Sequence, residues 1–302
     1  FGGGLTLTAG PTAKKAIFGY GSTGSLTSIT NLVSVTGVVA SDTTGVGTAR
    51  VYLAAAGYGS DKAIFGYGNN NSSTYYSMTN LVSNTGAVAT DTTGVGTARN
   101  QLAAAGYGSD KAIFGYGGSA PFGSSVSMTN LVSNTGVVAN DTAGVGTART
   151  ALAAAGYGSD KAIFGYGSTA STVSITNLVS NTGVVASDTT GVGTTRKNLA
   201  AAGYGTDKAI FGYGYSTGSP STATTNLVSN TGVVATDTAG VGTARELLAA
   251  AGYSTDKAIF GYGGADAGLV SITNLVSNTG VVASNTTGVG TARYQLAAAS
   301  YG

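Results

Sequence analysis

The chain has 302 residues, a formal net charge of +2 and only 9% charged residues, against roughly a quarter in ordinary proteins. That balance leaves no basic stripe for nucleic acid, and the lack of Cys, His and Trp removes disulfides, thiolate chemistry and imidazole catalysis. No run of about 18 apolar residues exists to form a transmembrane helix, although mean hydropathy is +0.19, and fifty glycines against three prolines point to tight turns and close backbone contacts.

In chain order, residues 1–14 precede a repeat: Gly2-Gly3-Gly4 reads as a flexible joint and Leu5-Thr6-Leu7-Thr8 alternates like a short strand. The chain starts at Phe1 rather than Met, without a signal-peptide pattern, which leads us to expect a processed chain or a piece of a longer one. From Lys15 the heptapeptide KAIFGYG recurs unchanged at 15–21, 62–68, 111–117, 161–167, 208–214 and 257–263. The intervals are 47, 49, 50, 47 and 49 residues, the period of a solenoid, propeller or array.

One unit, taken from Arg99, reads as four short strands. Leu102-Ala103-Ala104-Ala105-Gly106 is the first, Gly108-Ser109-Asp110 turns the chain, and Ala112-Ile113-Phe114-Gly115-Tyr116 is the second. After a loop of changing length comes Val126-Ser127-Met128-Thr129-Asn130-Leu131-Val132, β-branched and alternating. Asn134-Thr135-Gly136 is a turn signal, Gly136-Val137-Val138-Ala139 opens the fourth strand, and 141–149 leads to the next unit. No segment has helical periodicity with caps, and four strands in about 49 residues make one propeller blade. The alanine-rich strand is expected innermost, where only small side chains fit. The final 293–302 repeats the start of a unit and then stops, so 296–301 is expected to complete the first blade beside 15–21; the rival for that place is Thr8-Ala9-Gly10.

The order Arg, apolar first strand, second strand ending in FGYG, then a Val-Ser-Ile/Met third strand resembles the Kelch repeat over residues 15–302. It departs from that pattern where Gly-Tyr-Gly replaces a Gly-Gly doublet and where Gly-Val-Val-Ala stands in place of a fourth-strand tryptophan. The FGYG…TNLVSNTG…GVGTAR units are also similar to repeats in fibre and tail proteins of tailed bacteriophages.

From the Thr of Thr-Asn-Leu-Val to the following Arg is 20 residues in every unit, and from Arg to the next repeat Lys is 12. All length change falls in 22–29, 69–78, 118–128, 168–175, 215–224 and 264–272, and the other variable positions are the two after each Arg, such as Val51-Tyr52 and Glu246-Leu247. If strands alternate in direction, both sets emerge on one face, with the Gly-Tyr-Gly turns after the first strand and the Asn-Thr-Gly turns on the other. Variable loops over an invariant scaffold read as a binding surface; drift of unrestrained loops is the bland alternative. Tyr52, Asn70, Tyr75, Tyr76, Phe122, Tyr215, Asp266 and Tyr294 are the ligand-binding candidates, suited to stacking on sugar rings or bonding their hydroxyls. The aromatics among them are no more frequent than the 8% of the whole chain.

Chemistry finds little support. Glu246 is the only glutamate, and ten of eleven aspartates sit at repeat positions, where turn capping and ion pairing explain them; Asp266 alone stands apart. A copper site of the kind some Kelch propellers hold would need histidines, and a sialidase-like site would need a Glu–Tyr pair beside three arginines. Gly19-Tyr20-Gly21-Ser22-Thr23-Gly24 fits a dinucleotide-binding spacing, but a strand pattern follows it and not a helix. Arg50, Arg99, Arg149, Arg196, Arg245 and Arg293 read either as an anion-capturing ring or as partners of the Asp eight residues earlier; with Asn285 in that place, Arg293 is expected to be least neutralised.

The sequence thus predicts an all-β, six-bladed, Kelch-like β-propeller with four antiparallel strands per blade, closed by the last strand. It predicts a non-enzymatic binding module of a phage fibre or surface appendage, without cofactor or metal, located on a virion or outside the cell. The expected partner is a host surface glycan or protein; the alternative is a purely structural assembly subunit.

Overall fold

The computed structural model describes residues 13–120, 124–218 and 221–302. The described residues contain no helix, and one three-stranded antiparallel sheet recurs six times beside some two-residue strand pairs. Its middle strand is always KAIFG. In the third sheet Lys111–Gly115 lies between Ala103–Tyr107 and Thr129–Val132. The first sheet is built from distant parts of the chain: Lys15–Gly19 pairs with Thr30–Val33 on one side and Ala297–Tyr301 on the other, with Lys15 opposite Tyr301. The pairing expected of the last strand is therefore present, whereas residues 5–10, its rival, lie outside the described residues.

KAIFG needs no polar face because it is covered twice. Ile17 packs with Phe65 of the second sheet, while Phe18 packs with Ile259 of the sixth. Six such apolar clusters join consecutive sheets, the last of them joining the sixth sheet to the first. Burying each Ile or Phe contributes about 1.5–3 kcal/mol. The glycine that ends each middle strand leaves room for the neighbour's ring: a Cβ on Gly66 would lie 2.7 Å from Phe114 Cζ.

The second strand ends one residue earlier than predicted. Tyr116 has φ 63°, a left-handed conformation that swings its ring back between sheets, 5.1 Å from Phe164. The AAAGY strands contact one another in sequence, and there Gly106 approaches so closely that a Cβ would meet the Gly57 carbonyl at 3.3 Å. Small side chains are required at that crowding, as predicted. Four of the AAAGY strands turn into KAIFG through two residues with positive φ, Gly59 (59°) and Ser60 (70°) in the second sheet, while before Lys257 Ser254 alone has positive φ, at 58°.

Among the described residues no continuous strand stands where the fourth was expected. Beyond TNLV the chain forms isolated bridges only, Val33 with Val39 and Thr30 with Thr43 in the first sheet. Three steps on one side face four on the other, which is a bulge. The Asn31 side chain fills it, Nδ2 donating to the Ala40 carbonyl at 3.0 Å and to Asp42 Oδ1 at 2.9 Å. The predicted third strand also begins late, at Thr129.

Candidate functional site

The two variable residues after each Arg are positioned by the Arg itself. Arg149 is fully buried; its Nε donates to the Tyr166 carbonyl at 2.8 Å, Nη1 to the Thr147 carbonyl at 3.1 Å and Nη2 to Asn177 Oδ1 at 2.8 Å. Its guanidinium stands 4.4 Å from the ring centre of Tyr116 in the preceding sheet. Burial pushes the Tyr20 and Tyr67 hydroxyls up to about 12, against the pull of Arg50 and Arg99.

The arginines do not pair with the Asp eight residues earlier. Arg50 Nη1 lies 3.9 Å from Asp91 of the following unit, and Arg293 lies 4.0 Å from Asp42 of the first. Packing of consecutive sheets, not proximity in sequence, selects the partner. The unit with Asn285 therefore leaves Arg245, not Arg293, beside a neutral amide: Asn285 bonds Thr243 in that loop. Since every Arg is buried, the six do not form an open anion-capturing ring. The Asp carboxyls hold the incoming loops. Asp188 accepts from Thr147 N and Oγ1 and from Asn177 Nδ2. Burial pushes that carboxyl up, but these hydrogen bonds outweigh it and hold it below its ordinary value.

Past the Arg, the first variable residue bridges to the start of the variable loop in every unit: Val51 with Asn69, Asn100 with Gly118, Thr150 with Ser168, Lys197 with Tyr215, Glu246 with Gly264, and Tyr294 with Ser22. The two variable sets are thus in contact, as the topological reading requires. The second variable residue does something the sequence reading missed. Tyr52 N donates to the Gln295 carbonyl, Gln295 N to Leu247, Leu247 N to Asn198, Asn198 N to Ala151, Ala151 N to Gln101, and Gln101 N to Tyr52, all at 2.8–3.1 Å. The six bonds make one closed cycle. Inside it is a cavity of about 70 Å³, floored by the leucine that precedes each AAAGY strand. Those leucines, invariant before the alanines, were the available signal.

No protein-family model matches the chain, and no curated protein matches it.

Of the predicted site residues, Tyr52 lines this cavity and receives a hydrogen bond from Gln295 Nε2. Tyr294 sits one residue from the cavity's Gln295, and Tyr215 lies under Lys197 Nζ at 5.1 Å. Asn70 caps its own loop, Oδ1 accepting from Ser72 N and Thr74 N at 3.1 Å, and Tyr75 and Tyr76 are half-buried in that loop. Asp266 is exposed in the 264–269 hairpin, and Phe122 lies outside the described residues.

The other ends of the AAAGY strands surround a second cavity of about 260 Å³, which includes Lys62, Lys111, Lys161, Lys208 and Lys257 in its lining. Each of these lysines pairs with the aspartate before it at 2.7–3.2 Å. In the first unit Lys14-Lys15 replaces the Asp–Lys pair, so the chain's excess of +2 resides at this end. Among the described residues no three of His, Cys, Asp or Glu converge as metal ligands would.

Proposed function

We propose that the chain is a six-bladed, Kelch-like β-propeller serving as a non-enzymatic binding module, and that the variable loops contact a surface glycan. The propeller reading is supported by the clusters that run from sheet to sheet and back to the first, and by the cycle of hydrogen bonds through all six units. In this reading the bridged segment after TNLV is the degenerate fourth strand of each blade.

The observation that carries the binding reading is the contact between the two variable sets in every unit, over a scaffold whose side-chain network barely changes. Drift alone gives no reason for variation to converge on one end of the strands while the turns at the other end stay uniform. The setting we propose is a fibre or surface appendage of the phage-tail kind, where several copies multiply weak contacts. A glycan array probed with the multimerised protein tests this. Binding that weakens in the Tyr75→Ala/Tyr76→Ala double variant, with an unchanged circular dichroism spectrum, supports it; an array without binding, together with capture of a protein partner, refutes the glycan reading.

A further inference from the structure

We propose that the leucine-floored cavity is the subsite for one chemical group, the acetamido group of an N-acetylated sugar. The inference rests on the glycan-binding reading of the loop end and specifies where and how the sugar is held.

The rim is the first argument. Tyr52, Gln101, Ala151, Asn198, Leu247 and Gln295 all have φ between 51° and 58°, a conformation that favours glycine. The chain holds fifty glycines and uses none of them here. The cycle of hydrogen bonds uses backbone groups only and needs no side chain at these positions. Six different strained positions thus keep side chains that the fold does not require, and strain of this kind clusters at ligand sites.

The second argument is an unsatisfied group. Gln295 is 7% exposed; its Nε2 donates to the Tyr52 hydroxyl, while its Oε1 has no hydrogen-bond partner. A buried acceptor left without a donor is unusual enough to need an explanation, and Gln295 lines the cavity. The Tyr52 hydroxyl accepts that bond and also meets the Gln101 side chain, so a ligand here reaches a hydroxyl set between two amides.

The third argument is size and charge. At about 70 Å³ the cavity is small beside pockets of roughly 300 Å³ or more that enclose whole ligands. Its lining carries no charged side chain and its floor is leucine, so it suits a neutral group with an apolar tip. An acetamido group meets each feature. Its methyl fits the leucine floor, its N–H supplies the donor that Gln295 Oε1 lacks, and its carbonyl accepts from the Tyr52 hydroxyl in place of the Gln101 side chain. A hydroxymethyl group has no methyl for the floor, and a carboxylate would be desolvated without a cation.

The test is a titration of the whole protein, carrying isotope-labelled leucine methyls and tyrosine rings, with the methyl β-glycosides of N-acetylglucosamine and of glucose. We expect N-acetylglucosamine to shift the methyl signals of Leu53, Leu102, Leu152, Leu199, Leu248 and Leu296, glucose to leave them in place, and Tyr52→Phe to weaken binding roughly fivefold to tenfold. Equal shifts with both sugars, or unchanged affinity in Tyr52→Phe, overturn the acetamido assignment. Shifts confined to Tyr75 and Tyr76 overturn the subsite and leave the glycan reading standing. Absence of any shift, together with a blank glycan array, overturns both.

Discussion

Replacing Asn177 by Ala should be among the most damaging single changes to this fold. The side chain makes three hydrogen bonds: Oδ1 accepts from buried Arg149 Nη2 at 2.8 Å, and Nδ2 donates to the Ala186 carbonyl at 3.0 Å and to Asp188 Oδ1 at 2.9 Å. Alanine leaves a guanidinium nitrogen in a fully buried side chain without that acceptor. A hydrogen bond to a charged group is worth about 1.5–3 kcal/mol, and an orphaned buried polar group costs about 1–3 kcal/mol. The expected loss is therefore about 3–5 kcal/mol, in the range seen when a buried charge loses its partner. Asp188→Asn should cost under about 1 kcal/mol, because the chain already carries the amide at Asn285, which keeps its bonds to Asn274 Nδ2 and Thr243 N. The assay is urea unfolding followed by circular dichroism, comparing midpoints at constant slope. A loss below about 1 kcal/mol in Asn177→Ala would show that the Arg–Asn–Asp chain is ornamental and that apolar contact alone holds the sheets together.

Acid should destabilise the protein through the loop-holding aspartates. Asp42, Asp91, Asp141, Asp188 and Asp237 titrate below the ordinary value of 3.8 when folded, so their contribution is present above that pH and is lost as pH falls below it; unfolding midpoints measured across pH 2–5 should show this, with a shallower slope in Asp188→Asn. At the alkaline end the sign reverses. Tyr20 and Tyr67 keep their protons to about 12 when folded against 10.0 when free, so stability should drain away as pH rises from 10.0 to about 12, with tyrosinate absorbance rising in step with unfolding. Deleting residues 294–302 should lower the melting temperature more than deleting 1–9, because it removes the Ala297–Tyr301 ladder and the Gln295 bonds of the cycle; equal losses would refute the importance of that strand.

KAIFGYG and TNLV were legible as strands because a sixfold repeat averages out the ambiguity of a single short apolar run. The turn chemistry, the crowding at the alanines and the pairing of 15–19 with the last strand followed from the same regularity. Tyr116 was misplaced because nothing in its type announces positive φ; the reason lies in the arginine that the turned ring supports. The Arg–Asp pairing was misread because an eight-residue spacing suggested a local contact, while stacking of sheets brings the next unit's carboxylate closer. One signal was present and unread. An asparagine repeated in every copy, in the middle of an apolar strand, had to be buried and bonded, and Asn31 and its equivalents are the hub of the network. The cavity behind Tyr52 was invisible because its rim comes from six units and its hydrogen bonds are made by the backbone.

The pairing of Lys15–Gly19 with Ala297–Tyr301 also sets a timetable for the cell. The two strands are separated by about 280 residues, and at roughly 5–20 residues per second the ribosome needs about 15–55 s to bridge them. The other five sheets are each complete within a stretch of about 30 residues and can assemble as they emerge. Through that interval the first middle strand has one bare edge, and the ring of Phe18 lacks the sixth sheet that will cover it. Such an edge accepts any strand of matching register, and every nascent copy on the same polysome carries five near-identical AAAGY segments and, later, the AAASY strand that belongs there. Quality control for this protein is thus a race between its own last strand and a neighbour's. Slowing translation before residue 297 should convert chains closed on their own last strand into strand-exchanged oligomers, with no change in sequence.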